Sequence, residues 1–159
     1  MLIRTATVED VPAVCRMVDK LAPLHEGWDA ARYDYRADVG QMYARWLEAR
    51  VSDEQSVFLV AQREAGLLAG FIVGTLDKPI PIYRIGRFGF IHDLWVEEAY
   101  RNEGVGRQLA MLAIERFRAM GVTQVRLETA ISNEAARKLF ESCGFRVSTM
   151  EMLLALHEA

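Results

Sequence analysis

The stretch from Phe88 to Ala130 restricts the fold more than any other part of the chain. Phe88 to Val96 is an apolar run of strand length, followed by a polar turn bearing Gly104 and Gly106. Val105, Leu109, Leu112, Ala113, Phe117 and Met120 then recur at helical spacing, and Gly121 stands where a helix-ending glycine belongs. Gln124 to Ala130 alternates like a strand. Strand, helix and strand in that order imply at least one parallel crossover.

The remaining segments add to that unit. Leu2 to Ala6 reads as a first strand, and Asp10 is placed to cap a helix whose first turn tolerates Pro12. Val11, Val14, Cys15, Val18 and Ala22 form its apolar stripe. A second amphipathic helix is expected from about Tyr33 to Arg50, with Tyr35, Val39, Met42, Tyr43, Trp46 and Leu47 on one face. Ser56 to Arg63 and Leu68 to Leu76 read as a hairpin through Glu64, Ala65 and Gly66, and Asp77 to Gly86 as a loop. Asn133 caps a short helix with Ala136, Leu139, Phe140 and Cys143 inward, closed by Gly144. Phe145 to Leu156 reads as one bent strand or two short ones. A mixed sheet flanked by helices fits this order.

Composition narrows the function classes. The 159 residues match one domain, expected over 1–159, and can bury a core without disulfides or metal. A formal net charge of −3 argues against a nucleic-acid binder. No apolar run approaches the roughly 18 residues of a membrane span, and the N-terminus does not read as a signal peptide. Cys15 and Cys143 sit in helical apolar patterns and their spacing fits no metal site. A reduced, cytoplasmic protein is expected.

The turn Tyr100-Arg101-Asn102-Glu103-Gly104-Val105-Gly106-Arg107 carries the chemistry. Glycines at a helix entrance let a ligand approach the backbone, and the first helical N–H groups point outward unpaired. The helix dipole favours an anion there, and Arg101 and Arg107 add charge-assisted donors. A solvated glycine turn is the bland alternative. A dinucleotide fingerprint fails, because Leu109 stands at its third glycine and residues 97–103 separate strand from turn. A P-loop fails because no G-K-S or G-K-T is present.

A third pattern fits. R-x-x-G-x-G after a strand ending Asp93-Leu94-Trp95-Val96 resembles the signature of the GNAT superfamily of acyl-CoA-dependent N-acyltransferases. Asn133-Glu134-Ala135-Ala136-Arg137-Lys138-Leu139-Phe140-Glu141-Ser142-Cys143-Gly144-Phe145 is similar to that family's following helix. The resemblance implies an α/β fold whose mixed, mostly antiparallel central sheet has six to seven strands flanked by about four helices. It implies transfer of an acetyl group from acetyl-CoA to a primary amine of a small molecule or peptide, by direct attack in a ternary complex. Arg101, Asn102, Glu103, Gly104, Val105, Gly106 and Arg107 would hold the pyrophosphate of coenzyme A. Backbone groups of Leu94, Trp95 and Val96 would pair with its pantetheine arm, and Asn133 and Phe140 would contact it. Homodimers are frequent among relatives.

His92 and Asp93 are the catalytic candidates. An aliphatic amine with a pKa near 10.4 must lose a proton before it attacks. Histidine titrates near 6.5 and suits that task, while an acidic residue on this strand is common in similar enzymes. Regular alternation would send the two side chains to opposite faces. Phe140 replaces the tyrosine that commonly protonates the leaving thiolate in such enzymes, which keeps a catalytically idle CoA-binding module as the alternative. Glu26, Trp28, Asp29 and Tyr33 are the candidate acceptor contacts, since acids and aromatics suit a cationic amine.

Overall fold

The computed structural model describes residues 1–36, 39–63 and 66–156. Its elements run β1 (Leu2–Thr5), a 3₁₀ turn (Val8–Asp10), α1 (Val11–Trp28), α2 (Val39–Val51), β2 (Ser56–Gln62), β3 (Leu68–Asp77) and β4 (Phe88–Val96). A 3₁₀ turn (Glu98–Tyr100), α3 (Val105–Ala119), β5 (Val125–Leu127) and α4 (Glu134–Ser142) complete it. The sheet order is β1-β2-β3-β4-β5, antiparallel except for the parallel β4–β5 pair. The crossover through α3 supplies that parallel pair, as the strand–helix–strand order requires.

Each face of the sheet buries one core. Val14, Val18 and Leu21 of α1 and Leu47 of α2 pack with Phe58, Val60, Phe71, Val73 and Trp95. Leu109, Ala113 and Phe117 of α3 pack with Leu59, Ile72 and Ile91 on the other side. Phe117 shows how closely the layers fit. It is fully buried, and a Cβ built on Gly89 would lie 2.6 Å from its ring, one on Gly74 2.9 Å. The two glycines leave the space the ring fills, so an alanine at either would overpack the layer.

Several sequence expectations are corrected. Asp10 does not cap α1 with its side chain. Its carboxylate accepts instead from the Thr7 N–H at 2.8 Å and from both Arg4 Nη atoms, at 2.6 and 2.9 Å, tying β1 to the 3₁₀ turn. The Arg4 guanidinium holds the Asp10 carboxyl below the usual carboxylate range. α1 continues through Pro23 to Trp28, although Pro23 has no N–H for the Asp19 carbonyl. α2 starts at Val39 rather than Tyr33, because Asp29 turns the preceding chain. The Asp29 carboxylate takes the N–H groups of Ala31 and Arg32, and its carbonyl takes those of Arg32 and Tyr33.

Glu64 and Ala65 of the expected hairpin turn lie outside the described residues. β5 is shorter than its alternating stretch. Residues 145–156 form no strand, which leaves five strands among the described residues rather than six or seven. Val147, Met150, Met152, Leu154 and Leu156 of that segment are exposed. Alternation produces a strand only where a neighbouring edge completes the ladder. Cys15 and Cys143 are half-buried free thiols. No described helix is long and apolar enough to cross a membrane. Among the described residues no cluster of His, Cys, Asp and Glu has the makings of a metal site.

Candidate functional site

The β3–β4 ladder is regular up to Val73↔Asp93 and resumes at Gly74↔Ile91, so His92 is an extra, unpaired residue on β4. A bulge of this kind reverses the facing of every residue beyond it. Ile91 and, past the bulge, Leu94 and Val96 pack on the α3 side, while Trp95 packs on the α1–α2 side. His92 and Asp93 consequently share one face, against the expectation that they point apart. The contacts confirm it. The His92 ring meets Trp46 of α2 edge-on at 5.1 Å, and the Asp93 carboxylate accepts from the hydroxyl of Tyr43, one helical turn earlier on α2.

The two candidates have different environments. Burial lowers the His92 pKa below 6.5; Asp93 and Asp77 oppose that shift and Arg50 adds to it. The shift is toward the neutral, proton-accepting form, in a residue whose side chain is still exposed on this face. Burial raises the Asp93 carboxyl, with the Tyr43 hydrogen bond and the two nearby histidines, His25 and His92, pulling it back. Burial and Asp93 together push the Tyr43 phenol well above 10, so it remains a donor. His92 Nε2 lies 2.8 Å from the Thr75 hydroxyl, itself 2.9 Å from Asp77 Oδ1. Trp95 buries an indole N–H that has no partner among the described protein groups.

A cavity of about 160 Å³ opens beside His92. His25, Arg32, Tyr33, Phe90, Ile91, His92 and the chain after β5 at Glu128, Thr129 and Ala130 line it. Of the four expected acceptor contacts, only Tyr33 lines this cavity. The Trp28 ring meets that of His25 at 5.3 Å in a tilted contact, Asp29 is spent on its turn, and Glu26 is exposed. Arg32, Glu128 and Glu151 were missed: Arg32 pairs with the two glutamates at 3.4 and 3.0 Å. Only the three-dimensional approach of residues 32, 128 and 151 shows this; nothing in their spacing does.

Past the bulge, β4 opens toward the α3 entrance. The β4–β5 ladder runs only from Gly89↔Val125 to Ile91↔Leu127, so Leu94, Trp95 and Val96 have no strand beside them on that edge. The turn that follows is tightly curled, with Asn102 at φ 64° and Gly104 at φ 79°. Gly104 is the N-cap of α3, and no side chain caps the N–H groups there. A Cβ on Gly106 would lie 3.3 Å from Leu139 and 3.5 Å from Val96, so a small residue brings helix and strand together. Arg101 folds back, its Nε donating to the Val96 carbonyl at 3.0 Å and its guanidinium lying over Trp95 at 4.8 Å. Val105 is buried, while Arg107, Asn102 and Glu103 are exposed at the rim, Glu103 3.8 Å from Arg63.

This arrangement fits a long anionic thiol ester. An uncapped helix entrance with close glycines suits a pyrophosphate, and an unpaired strand edge suits an amide-bearing arm. The Asn133 side chain caps α4 by accepting from the Ala136 N–H at 3.1 Å. Phe140 is 7% exposed and packs its ring against Phe145, so no proton donor stands at that position.

Comparison with known proteins bears on the fold and the family. The family model described as Acetyltransferase (GNAT) family matches residues 17–145. N-alpha-acetyltransferase 30 of Saccharomyces cerevisiae is 37% identical over 76 residues, covering 48% of this chain and 42% of that protein. N-acetyltransferase 8 of Homo sapiens is 28% identical over 113 residues, covering 67% of this chain and 48% of that protein. The matches thus span less than half the length of these curated relatives. A tetramutant of the BH1408 protein from Bacillus halodurans superposes with a TM-score of 0.85 at 27% identity, covering 98% of this chain and all of that one. With the family model spanning most of the chain, this chain belongs to the acetyltransferase (GNAT) family.

Proposed function

We propose that the chain, as a single domain, transfers an acetyl group from acetyl-CoA to a primary amine of a small molecule or peptide, by direct attack in a ternary complex. The carrying observation is the bulge at His92, which turns an imidazole that lines the cavity and the half-buried Asp93 carboxylate to one face. Acetyl-CoA, when bound, supplies an acyl group already activated as a thioester. Residues 101–107 hold its pyrophosphate, and the open edge of Leu94, Trp95 and Val96 aligns its arm.

The protein's own groups then manage protons. His92 takes a proton from the acceptor amine, and the adjacent Asp93 charge stabilises the imidazolium that forms. Tyr43 keeps Asp93 in place by donating to it. Arg32 lies over the Tyr33 ring at 5.8 Å and pairs with Glu128 at 3.4 Å, and the acceptor's cationic end takes the place of that guanidinium. With phenylalanine at 140, the thiolate leaves without a proton from that position, which a leaving group of pKa near 8.5 permits.

Thiol release from acetyl-CoA, measured against matched amines and alcohols, tests the reading. Release with amines well above that with alcohols is expected. Equal turnover of neutral alcohols contradicts the amine assignment. Stabilisation by acetyl-CoA with no release on any acceptor returns the protein to the idle CoA-binding alternative that Phe140 raised.

A further inference from the structure

Thr75 is a 9% exposed polar residue on β3, next to the bulge and outside the motifs that carry the family resemblance. Its Oγ1 lies between two partners, 2.9 Å from Asp77 Oδ1 and 2.8 Å from His92 Nε2. A hydroxyl has one proton to give, and a carboxylate can only accept. The Thr75 proton therefore points to Asp77. What faces His92 is a lone pair, and a lone pair is satisfied there only if Nε2 carries the ring proton. Trp46 and Phe90 meet the ring edge-on from two sides, each at 5.1 Å.

We propose that Asp77 and Thr75 are positioning residues that fix His92 in its Nε2–H tautomer, leaving Nδ1 as the nitrogen that accepts the proton. The bulge makes the arrangement possible by lifting His92 out of the ladder while Thr75 stays in it, paired with Phe90. Asp77, the last residue of β3, sets the direction of the Thr75 hydroxyl without touching the ring. The charged groups that act on the ring are Asp77, Asp93 and Arg50, with Arg32 and Glu128 lining the cavity beside it. Of these Asp77 alone acts through a hydroxyl. The inference rests on His92 being the base, and the test separates the two.

Two-bond proton–nitrogen correlation spectra of the full chain labelled with ¹⁵N-histidine, at about pH 8, read the tautomer directly. The His92→Gln spectrum assigns the signal. The wild-type and Thr75→Ser proteins are expected to show the Nε2–H pattern. Thr75→Val, which keeps the shape but not the hydroxyl, is expected to show a mixture. Asp77→Ala is expected to shift toward Nδ1–H, since the freed hydroxyl can then donate to Nε2. An Nδ1–H pattern in the wild type, or an unchanged pattern in Thr75→Val, overturns the proposal. In acetyl transfer, Thr75→Val is expected to lower kcat about 10-fold or more with KM for acetyl-CoA unchanged, part of the 10²–10⁴ that a positioned base contributes. Thr75→Ser is expected to restore it. A tautomer shift in Thr75→Val with an unchanged rate leaves the positioning intact and removes His92 as the base.

Discussion

The hydroxyl of Tyr43 on α2 donates to the carboxylate of Asp93 on the bulged strand β4. This bond fastens the second helix to β4 and gives the half-buried carboxylate a side-chain donor. Replacing Tyr43 by phenylalanine removes the donor and leaves the acid in place. Loss of a hydrogen bond to a charged group costs about 1.5–3 kcal/mol. The pH dependence has a definite sign. Burial already holds Asp93 above its unfolded pKa, so the folded protein binds a proton that the unfolded chain releases. Without Tyr43 that difference widens, and stability falls further as pH rises through the window above 3.8. Urea melts of Tyr43→Phe are expected to show a larger loss at pH 8 than at pH 5; equal losses would contradict the assignment.

Asp10 behaves in the opposite sense. Arg4 and Thr7 depress its folded pKa below 3.8, so its contribution is present above that value and lost as pH falls through the folded one. Asp10→Asn is expected to lose about 1–2 kcal/mol at pH 7. The gap from wild type should close as the melts are taken below about pH 4. A gap that is constant with pH would assign the loss to packing instead.

Gly104 holds a left-handed conformation at the entrance of α3. Gly104→Ala is expected to cost about 1 kcal/mol in thermal stability. Because the same curl presents the helix N–H groups, the stabilisation given by acetyl-CoA should fall by more than the apo protein loses. Thermal shift with and without acetyl-CoA measures both. An undiminished shift would place the pyrophosphate elsewhere.

The second half of the chain was the more legible in its sequence. Phe88 to Val96, the α3 stripe and the Asn133 cap follow from local chemistry alone, because periodicity and caps are local signals. What the sequence hid is tertiary. A one-residue bulge leaves no mark in an alternating strand, and it decided that His92 and Asp93 face the same way. Thr75 reads as a strand residue and Asp77 as the start of a loop, until β3 runs on through Asp77 beside β4. Tyr35 fits the stripe of a helix starting near Tyr33, but Asp29 turns the chain first, and Tyr35 instead stands 2.6 Å from His25. The apolar residues of 145–156 read as a strand in the same way, but such a segment forms one only with a neighbouring edge to pair with.

The most direct measurement is the joint yield of acetylated amine and free thiol from acetyl-CoA, for the wild type and for His92→Ala. One acetylated amine per thiol is expected from the wild type. His92→Ala is expected to lower kcat by about 10²–10⁴ while keeping the thermal stabilisation by acetyl-CoA. An unchanged rate in His92→Ala across pH 6 to 9 would contradict the central role given to the bulged histidine.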